Sequence, residues 1–383
     1  MTDNKKNILF VVPTMESGGV EVGILEIAKK NSETKDFNMF LVSCGGNLIS
    51  KLKSYNVNCI ELNVKSKNPI TIFRNIKKIR NIIIKYKIDI VQAESRAPAW
   101  SCYYACKKLN IPFITTVHGL YGTNSSLKRL YNSIMFRSNT IICVSKYIYN
   151  YGIKYYKKYI HKKDFISNIK IIQRGIDLDL YNKDKVSINR ILTLQKKLKI
   201  PEDKIIISLP ARFSKQKGQD YFLKTLKYLK SNNYVCLLIG DLKKKPKYVK
   251  YIEKLIYKYK LQNHVIVHDN INDIQALYYI STIIVSSSIK PESFGRISIE
   301  TQAMERIFVG TAIGGTLETV IDGETGFLAP ENNEKVFAEI IDKILNLKEE
   351  EKLKITKAAR KNVSENFSFE KCYNSLLEIY KNS

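Results

Sequence analysis

Pro291-Glu292-Ser293-Phe294-Gly295-Arg296-Ile297-Ser298-Ile299-Glu300 joins a strand-like run at 282–286 to a helical pattern, and sets two carboxylates eight positions apart. Glu292 falls in the loop and Glu300 inside the helix that follows. The first backbone N–H groups of a helix have no intrahelical acceptor, so the amides near Phe294 and Gly295 are natural donors to an oxygen-rich ligand. Two fixed carboxylates beside free donors suit a molecule carrying both hydroxyls and phosphates, such as a nucleotide sugar.

Working outward, the same strand–loop–helix unit recurs along the whole chain, which argues for parallel sheets with helices on both faces. Strands are expected at 7–12, 37–43, 58–62, 88–93, 112–117, 140–144 and 169–173, then at 204–210, 234–239, 264–267, 282–286 and 307–311. Helical patterns fill the gaps, for example 19–30 and 69–86. The stretch 177–200 is charged and carries no strand pattern, so the hinge is placed near 185. The expected organisation is two Rossmann-like doubly wound domains, 1–185 and 186–365, and a closing helix within 366–383 that packs back on the first. Ligands of such sheets bind at the C-terminal ends of the strands, here a central cleft that the two domains face.

Composition narrows the class. A chain of 383 residues with 44% hydrophobic content can fill two cores. No apolar run approaches the roughly 18 residues that span a bilayer, and Met1-Thr2-Asp3-Asn4-Lys5-Lys6 lacks signal-peptide architecture. The seven cysteines form no CxxC pair and read as reduced thiols of a cytoplasmic protein. Net charge is +27, concentrated in the first half, where residues 1–185 hold 31 Lys and Arg against 13 Asp and Glu. Residues 95–163 contain twelve basic residues and no acidic one, interleaved with Tyr and Trp. AT-rich codon bias explains a general lysine excess but not this gap in acids. The expected partner is an anionic surface: the inner-membrane face, met by the basic first domain, or a phosphorylated glycolipid.

Further motifs fall at strand–helix junctions. Gly18-Gly19 opens the first helix and lets backbone approach an anion, but the pattern is not GxGxxG. Arg212 and Lys217 bracket the loop Ala211-Arg212-Phe213-Ser214-Lys215-Gln216-Lys217-Gly218. The Arg fork and the Lys point charge suit a diphosphate that gains negative charge as its bond breaks. His118 follows a strand directly, with Gly119 behind it, and is a candidate substrate contact. Asp177-Leu178-Asp179 has the form of a metal-binding DxD, but no second ligand cluster accompanies it, and no metal is expected. Gly314-Gly315, in Ile313-Gly314-Gly315-Thr316-Leu317-Glu318, reads as another anion-binding turn.

In combination these motifs resemble the family-four retaining glycosyltransferases, whose E-x7-E motif matches Glu292 through Glu300. Gly18-Gly19, His118-Gly119, Arg212 with Lys217-Gly218, and Gly314-Gly315 with Glu318 stand in the family's order, so the resemblance covers nearly the whole chain. It implies the GT-B fold, with the acceptor on the first domain and the donor on the second. It also implies that Glu292, aided by the amides of Phe294 and Gly295, holds hydroxyls of the transferred sugar, while Glu300 binds the ribose. Arg212 and Lys217 take the diphosphate, Gly18 and Gly19 close on it, and His118 contacts the sugar near the reacting carbon. No cofactor or metal is implied, and the departing diphosphate helps to deprotonate the acceptor in a front-face displacement.

A narrower resemblance rests on Glu94-Ser95-Arg96-Ala97-Pro98-Ala99-Trp100, Thr116-Val117-His118-Gly119-Leu120-Tyr121 and Arg174-Gly175-Ile176-Asp177. They are similar to an alphaproteobacterial branch that adds mannose from GDP-mannose to the lipopolysaccharide inner core. The donor is thus expected to be a GDP- or UDP-sugar, the acceptor an anionic glycolipid, and the protein peripheral to the cytoplasmic membrane face. Three departures stand out: Arg174 where Asn is common, one Gly missing after Gly240, and His268-Asp269-Asn270 in place of aromatic-x-Gly. Two alternatives remain: the same fold with other chemistry, an epimerase or phosphorylase, and a basic nucleic-acid-binding protein. The second finds no helix-turn-helix, zinc or RNP-like pattern, and no nucleic-acid partner is expected.

Overall fold

The computed structural model describes residues 5–16, 18–160 and 168–383. The chain divides into two compact units, residues 1–174 with 372–383, and residues 175–371.

The first unit holds seven parallel strands: β1 (Asn7–Val11), β2 (Asn38–Ser43), β3 (Asn58–Glu61), β4 (Ile90–Ala93), β5 (Phe113–Val117), β6 (Thr140–Cys143) and β7 (Ile169–Ile171). Their order is β3-β2-β1-β4-β5-β6-β7. Helices cover both faces of this sheet, so Ile8, Leu9, Phe10 and Val11 of β1 are all fully buried and the strand reads as one apolar run. Strand order reverses between β1 and β4, and ligands of open α/β sheets bind outside the strand ends at such a switch point. The loops after β1 and β4 carry Gly18 and Glu94, and the loop after the neighbouring β5 carries His118.

The helix Phe369–Lys381 belongs with this unit from Cys372 onward. The Tyr380 ring packs edge-on to Phe10 and Phe37, burial that stabilises by roughly 1.5–3 kcal/mol. Lys6 Nζ donates to the Tyr380 carbonyl at 2.8 Å, a cation set against the negative end of the helix.

The second unit has six parallel strands: β8 (Ile205–Pro210), β9 (Tyr234–Ile239), β10 (Val265–His268), β11 (Ile283–Ser286), β12 (Ile307–Thr311) and β13 (Phe327–Ala329). Their order is β10-β9-β8-β11-β12-β13, with the switch point between β8 and β11. The core on one side of the sheet centres on Phe213, Phe222, Leu238, Val285 and Phe337. Helix Arg296–Ala303 is buried along Ser298–Ala303 and packs against helix Glu349–Asn366. It is therefore a rigid support for whatever its N-terminus presents.

All twelve expected strands form, each within two residues of its expected ends. β13 was not expected, because three residues are too few to show a period. The chain passes between units at Arg174–Gly175, ahead of the hinge placed near 185. Ile176 is already tied to the second unit, since its N–H donates to Phe367 O and its carbonyl accepts from Phe369 N. Arg360 holds the carbonyls of Leu178 and Tyr181. The charged stretch after it forms helix Ile188–Leu198, which buries Leu194 and Leu198.

Candidate active site

In the second unit Glu292 is fixed from three sides. Lys217 Nζ donates to its Oε1 at 2.7 Å, and Ser286 Oγ and Ser288 Oγ donate to the same oxygen. Burial raises the pKa of this carboxyl, but the Lys217 charge and the three hydrogen bonds outweigh burial and hold it below its ordinary value. The group is an ionised acceptor. Its Oε2 takes no hydrogen bond from any described residue, and neither do the N–H groups of Phe294 and Gly295 donate to one. One carboxylate oxygen and two amides thus remain for a ligand. The Phe294 ring itself is buried and meets Phe367 edge-on, so only its backbone belongs to the site.

Backbone geometry sets this arrangement. Gly314 has φ +60°, and a Cβ there would stand 2.4 Å from the Glu292 carbonyl oxygen. Gly315 donates its N–H to that carbonyl at 2.8 Å. The Gly pair, expected to act as an anion-binding turn, packs against the Glu292 segment: the Gly315 amide is engaged there, and the Gly314 N–H donates to no described residue. Gly218 plays a similar part under Lys217. It has φ +68°, and a Cβ there would lie 2.0 Å from the Ser287 carbonyl oxygen.

Arg212 is exposed, and its guanidinium has no partner among the described residues. Its carbonyl is held by the buried Gln219 amide at 2.9 Å, which braces the loop. Glu300 is engaged at both oxygens, by Tyr278 Oη at 2.6 Å and by Arg296 Nε at 2.7 Å. Burial and the Glu300 carboxylate push the Tyr278 phenol well above its ordinary value, so it remains a donor. Each carboxylate oxygen still has a second lone pair for a ligand hydroxyl.

In the first unit a hydrogen-bonded chain runs from the closing helix to His118. Tyr380 Oη donates to Gln92 Oε1 at 2.6 Å, and Gln92 Nε2 donates to Glu94 Oε1 at 2.7 Å. Glu94 Oε2 meets His118 Nε2 at 2.5 Å, and Arg174 Nη2 meets His118 Nδ1 at 2.7 Å. Arg174 also donates to the Gly19 carbonyl. An ionised carboxylate only accepts and a guanidinium only donates, so the imidazole carries its proton on Nε2 and accepts at Nδ1. Burial and the Arg174 charge pull the His118 pKa below its ordinary value, against the opposing Glu94 carboxylate. Burial of Glu94 is outweighed by His118, Gln92 and Arg174, which keep it ionised. His118 is a neutral ring with both nitrogens occupied.

The N–H groups of Gly18 and Gly19 meet no described acceptor. Asp177 of the DxD sequence caps its own turn, accepting from the N–H groups of Asp179 and Leu180, while Asp179 pairs with Lys185. Among the described residues no cluster of three or more His, Cys, Asp or Glu could hold a metal ion, and no helix is long and apolar enough to cross a membrane. His268-Asp269-Asn270 acquires a structural role, because Asp269 Oδ1 accepts from Leu242 N and Asn270 N and ties two loops together.

Sequence reading missed Glu94 and Arg174 as partners of His118, Gln92 and Tyr380 behind Glu94, and Ser286 and Ser288 as partners of Glu292. Three serines directly after an apolar strand were the available signal for the second pair. Nothing local connects Tyr380 with Gln92.

Residues 17–180 match the family model Glycosyltransferase Family 4, and residues 191–362 match Glycosyl transferases group 1. A solved glycosyltransferase from Rickettsia africae is 38% identical over 99% of this chain and 98% of its own, with a TM-score of 0.90. The capsular polysaccharide biosynthesis glycosyltransferase CapM of Staphylococcus aureus is 26% identical over 98% of this chain and 97% of its own. Anabaena HepE, solved with UDP and glucose, shares the fold at a TM-score of 0.83 and 19% identity, covering 99% of this chain and 100% of its own. The chain belongs to the family-4 glycosyltransferases, enzymes of the GT-B fold that transfer a sugar from a nucleotide sugar.

Proposed function

We propose that this protein is a retaining hexosyltransferase that moves a hexose from a nucleotide sugar to an anionic glycolipid at a membrane surface. The observation that carries the reading is the state of Glu292. Its Oε1 is saturated by Lys217, Ser286 and Ser288, while Oε2 and the amides of Phe294 and Gly295 remain for sugar hydroxyls. Glu300 takes the ribose. Arg212 takes the diphosphate and stabilises the charge that grows as the glycosidic bond breaks. The amides of Gly18 and Gly19 are the anion donors of the first unit. Gly314 serves by shaping the loop around Glu292.

Neither Glu292 nor Glu300 has the setting of a general base, since both are tied down by cations or donors. The leaving diphosphate oxygen takes the acceptor proton on the face it departs from, which retains anomeric configuration. His118, neutral and fixed at both nitrogens, orients the sugar and exchanges no proton.

The acceptor side rests on charge and exposure in the first unit. Helix Pro69–Lys85 exposes Ile70 and Phe73 beside Arg74, Lys77 and Lys78, and Leu127 is 80% exposed next to Lys128. Apolar side chains flanked by bases suit an anionic bilayer on the cytoplasmic face. The likeness to CapM favours a cell-envelope glycan. The stretch from Glu94 to Trp100 and the basic first unit support the narrower reading, mannose from GDP-mannose onto the lipopolysaccharide inner core.

A thermal-shift screen with UDP-, GDP- and ADP-sugars names the donor, because at equal concentration the tighter-bound ligand stabilises more. Nucleoside diphosphate release that requires added glycolipid supports transfer. Epimerised donor without acceptor, or no nucleotide response at all, overturns it.

A further inference from the structure

We propose that Arg96 and Arg129 form an anion subsite on the first unit that grips the phosphate or carboxylate of the acceptor sugar. The proposal rests on the reading of the first unit as the acceptor side, and supplies the residues that reading lacks.

Arg96 is the first residue of helix Arg96–Leu109, directly after β4, and Arg129 lies in helix Ser126–Asn132 of the β5–β6 connection. Both are half-buried, and neither forms an ion pair with any described residue. Their hydrogen bonds are to neutral groups. Arg96 Nη1 donates to Asn132 Oδ1 at 3.0 Å and the guanidinium lies over the Tyr121 ring, while Arg129 Nη2 donates to the Thr123 carbonyl at 3.1 Å. Glu94, two residues before Arg96, is spent on Gln92 and His118. The sequence from 95 to 163 supplies no other carboxylate.

Polar atoms without partners collect at the same place. Among the described residues Arg129 Nε and Tyr131 Oη are buried and lack a hydrogen bond, and the Tyr156 hydroxyl beside them has Asn132 as its neighbour. Tyr131 is within electrostatic reach of Arg96, and Tyr156 of both arginines. Burial raises both phenols, so each stays protonated and able to donate. Half-buried cations without a counter-charge and buried donors without acceptors are both costly. One oxyanion answers both costs, and the planar Arg fork matches its geometry.

The test is thermal unfolding of the full chain in inorganic phosphate against chloride at equal ionic strength. Phosphate is expected to raise the wild-type midpoint by about 2 °C at tenfold excess over its dissociation constant. Arg96→Gln and Arg129→Gln should each lower the rise, and Arg212→Gln, at the separate diphosphate site, should leave the share that depends on Arg96 and Arg129. A rise unchanged by both first-unit changes, or one that depends on Arg212 alone, overturns the subsite. Should the variants unfold, the wild type decides: the Nε–H resonances of Arg96 and Arg129 shift on adding phosphate, and their immobility overturns the proposal. Glucose 6-phosphate and glucuronate, set against glucose, separate a phosphate from a carboxylate on the acceptor. An equal response to glucose counts against both. Nucleotide sugars run in parallel should stabilise Arg96→Gln as they do wild type. A missing phosphate effect with that response intact overturns the subsite alone. A wild type blind to nucleotide sugars overturns the underlying reading and the subsite with it.

Discussion

Glu94 Oε2 accepts the Nε2–H of His118 at 2.5 Å, on the side of the imidazole that holds the proton. Arg174 completes the arrangement by donating to Nδ1. Glu94→Gln removes the carboxylate that opposes burial and the Arg174 charge, while Arg174 still donates to Nδ1 and keeps the proton on Nε2. We predict a His118 titration midpoint below that of wild type in the imidazole 15N spectrum, with Nε2 protonated and Nδ1 bare in both proteins at neutral pH. Turnover should fall about tenfold, the scale of one hydrogen bond to a charged group at about 1.5 kcal/mol. A midpoint equal to that of wild type would show that the Glu94 charge does not act on the ring.

Tyr380 acts on the same ring through Gln92 and Glu94, which makes it a positioning residue at the far end of the chain. Tyr380→Phe leaves the Gln92 carbonyl without its donor and should cost about 1–2 kcal/mol in urea unfolding. If the chain is coupled as drawn, the His118 titration midpoint moves as well. A stability loss with no movement of that midpoint would reduce Tyr380 to a packing residue.

Glu292→Gln keeps the shape of the site but leaves the Lys217 ammonium without its counter-charge. Transfer should fall about 10²–10³-fold in kcat, as expected for losing one preorganised electrostatic contact. The unfolding midpoint should drop by a few degrees at most, because the affected groups lie in a loop whose backbone Gly315 still holds. Wild-type turnover in this variant refutes the donor role given to Glu292.

How much of this was legible in the sequence follows from the range of the forces involved. Strands and their order of appearance were readable, because a parallel sheet buried on both faces writes itself as apolar runs, as in Ile8–Val11. The Glu292 and Lys217 loops were readable because a ligand site needs particular residue types beside a helix start. Gly314 was legible as part of a glycine turn, but its packing role was not. Its value lies in the approach of Glu292, which is near in space and distant in sequence. Arg174 was visible only as a departure from a pattern, and its bonds to His118 and Gly19 span 56 and 155 positions. Tyr380 carried no signal, since an aromatic at helical spacing reads as core, and most of its ring is core.

Gly314→Ala tests the backbone reading directly. The φ of +60° costs an L-residue roughly 1–2 kcal/mol, and displacing the Glu292 carbonyl adds an overpacking cost of roughly 1–3 kcal/mol. The combined loss should show in urea unfolding with an unchanged slope, together with weaker donor binding. Wild-type stability and donor affinity in this variant would mean that the loop accepts a methyl group and that the close approach has no part in shaping the site.

The pH dependence of stability carries a sign for each group. The His118 pKa lies lower in the folded protein than the ordinary 6.5, so the unfolded chain binds the proton more readily. The stabilisation of the neutral ring is complete above about 6.5 and is lost as pH falls through the folded value. Glu94 and Glu292 are likewise held below their ordinary 4.5, so their contribution is complete above 4.5 and is lost at still lower pH. Urea unfolding across this range should therefore show a plateau at neutral pH, a first decline below about 6.5 and a second below about 4.5. His118→Asn should remove the first decline and leave the second. If wild type and His118→Asn lose stability in parallel between pH 6.5 and 5, the ring is not held neutral by its surroundings. The chain from Tyr380 to Arg174 would then need a different proton arrangement.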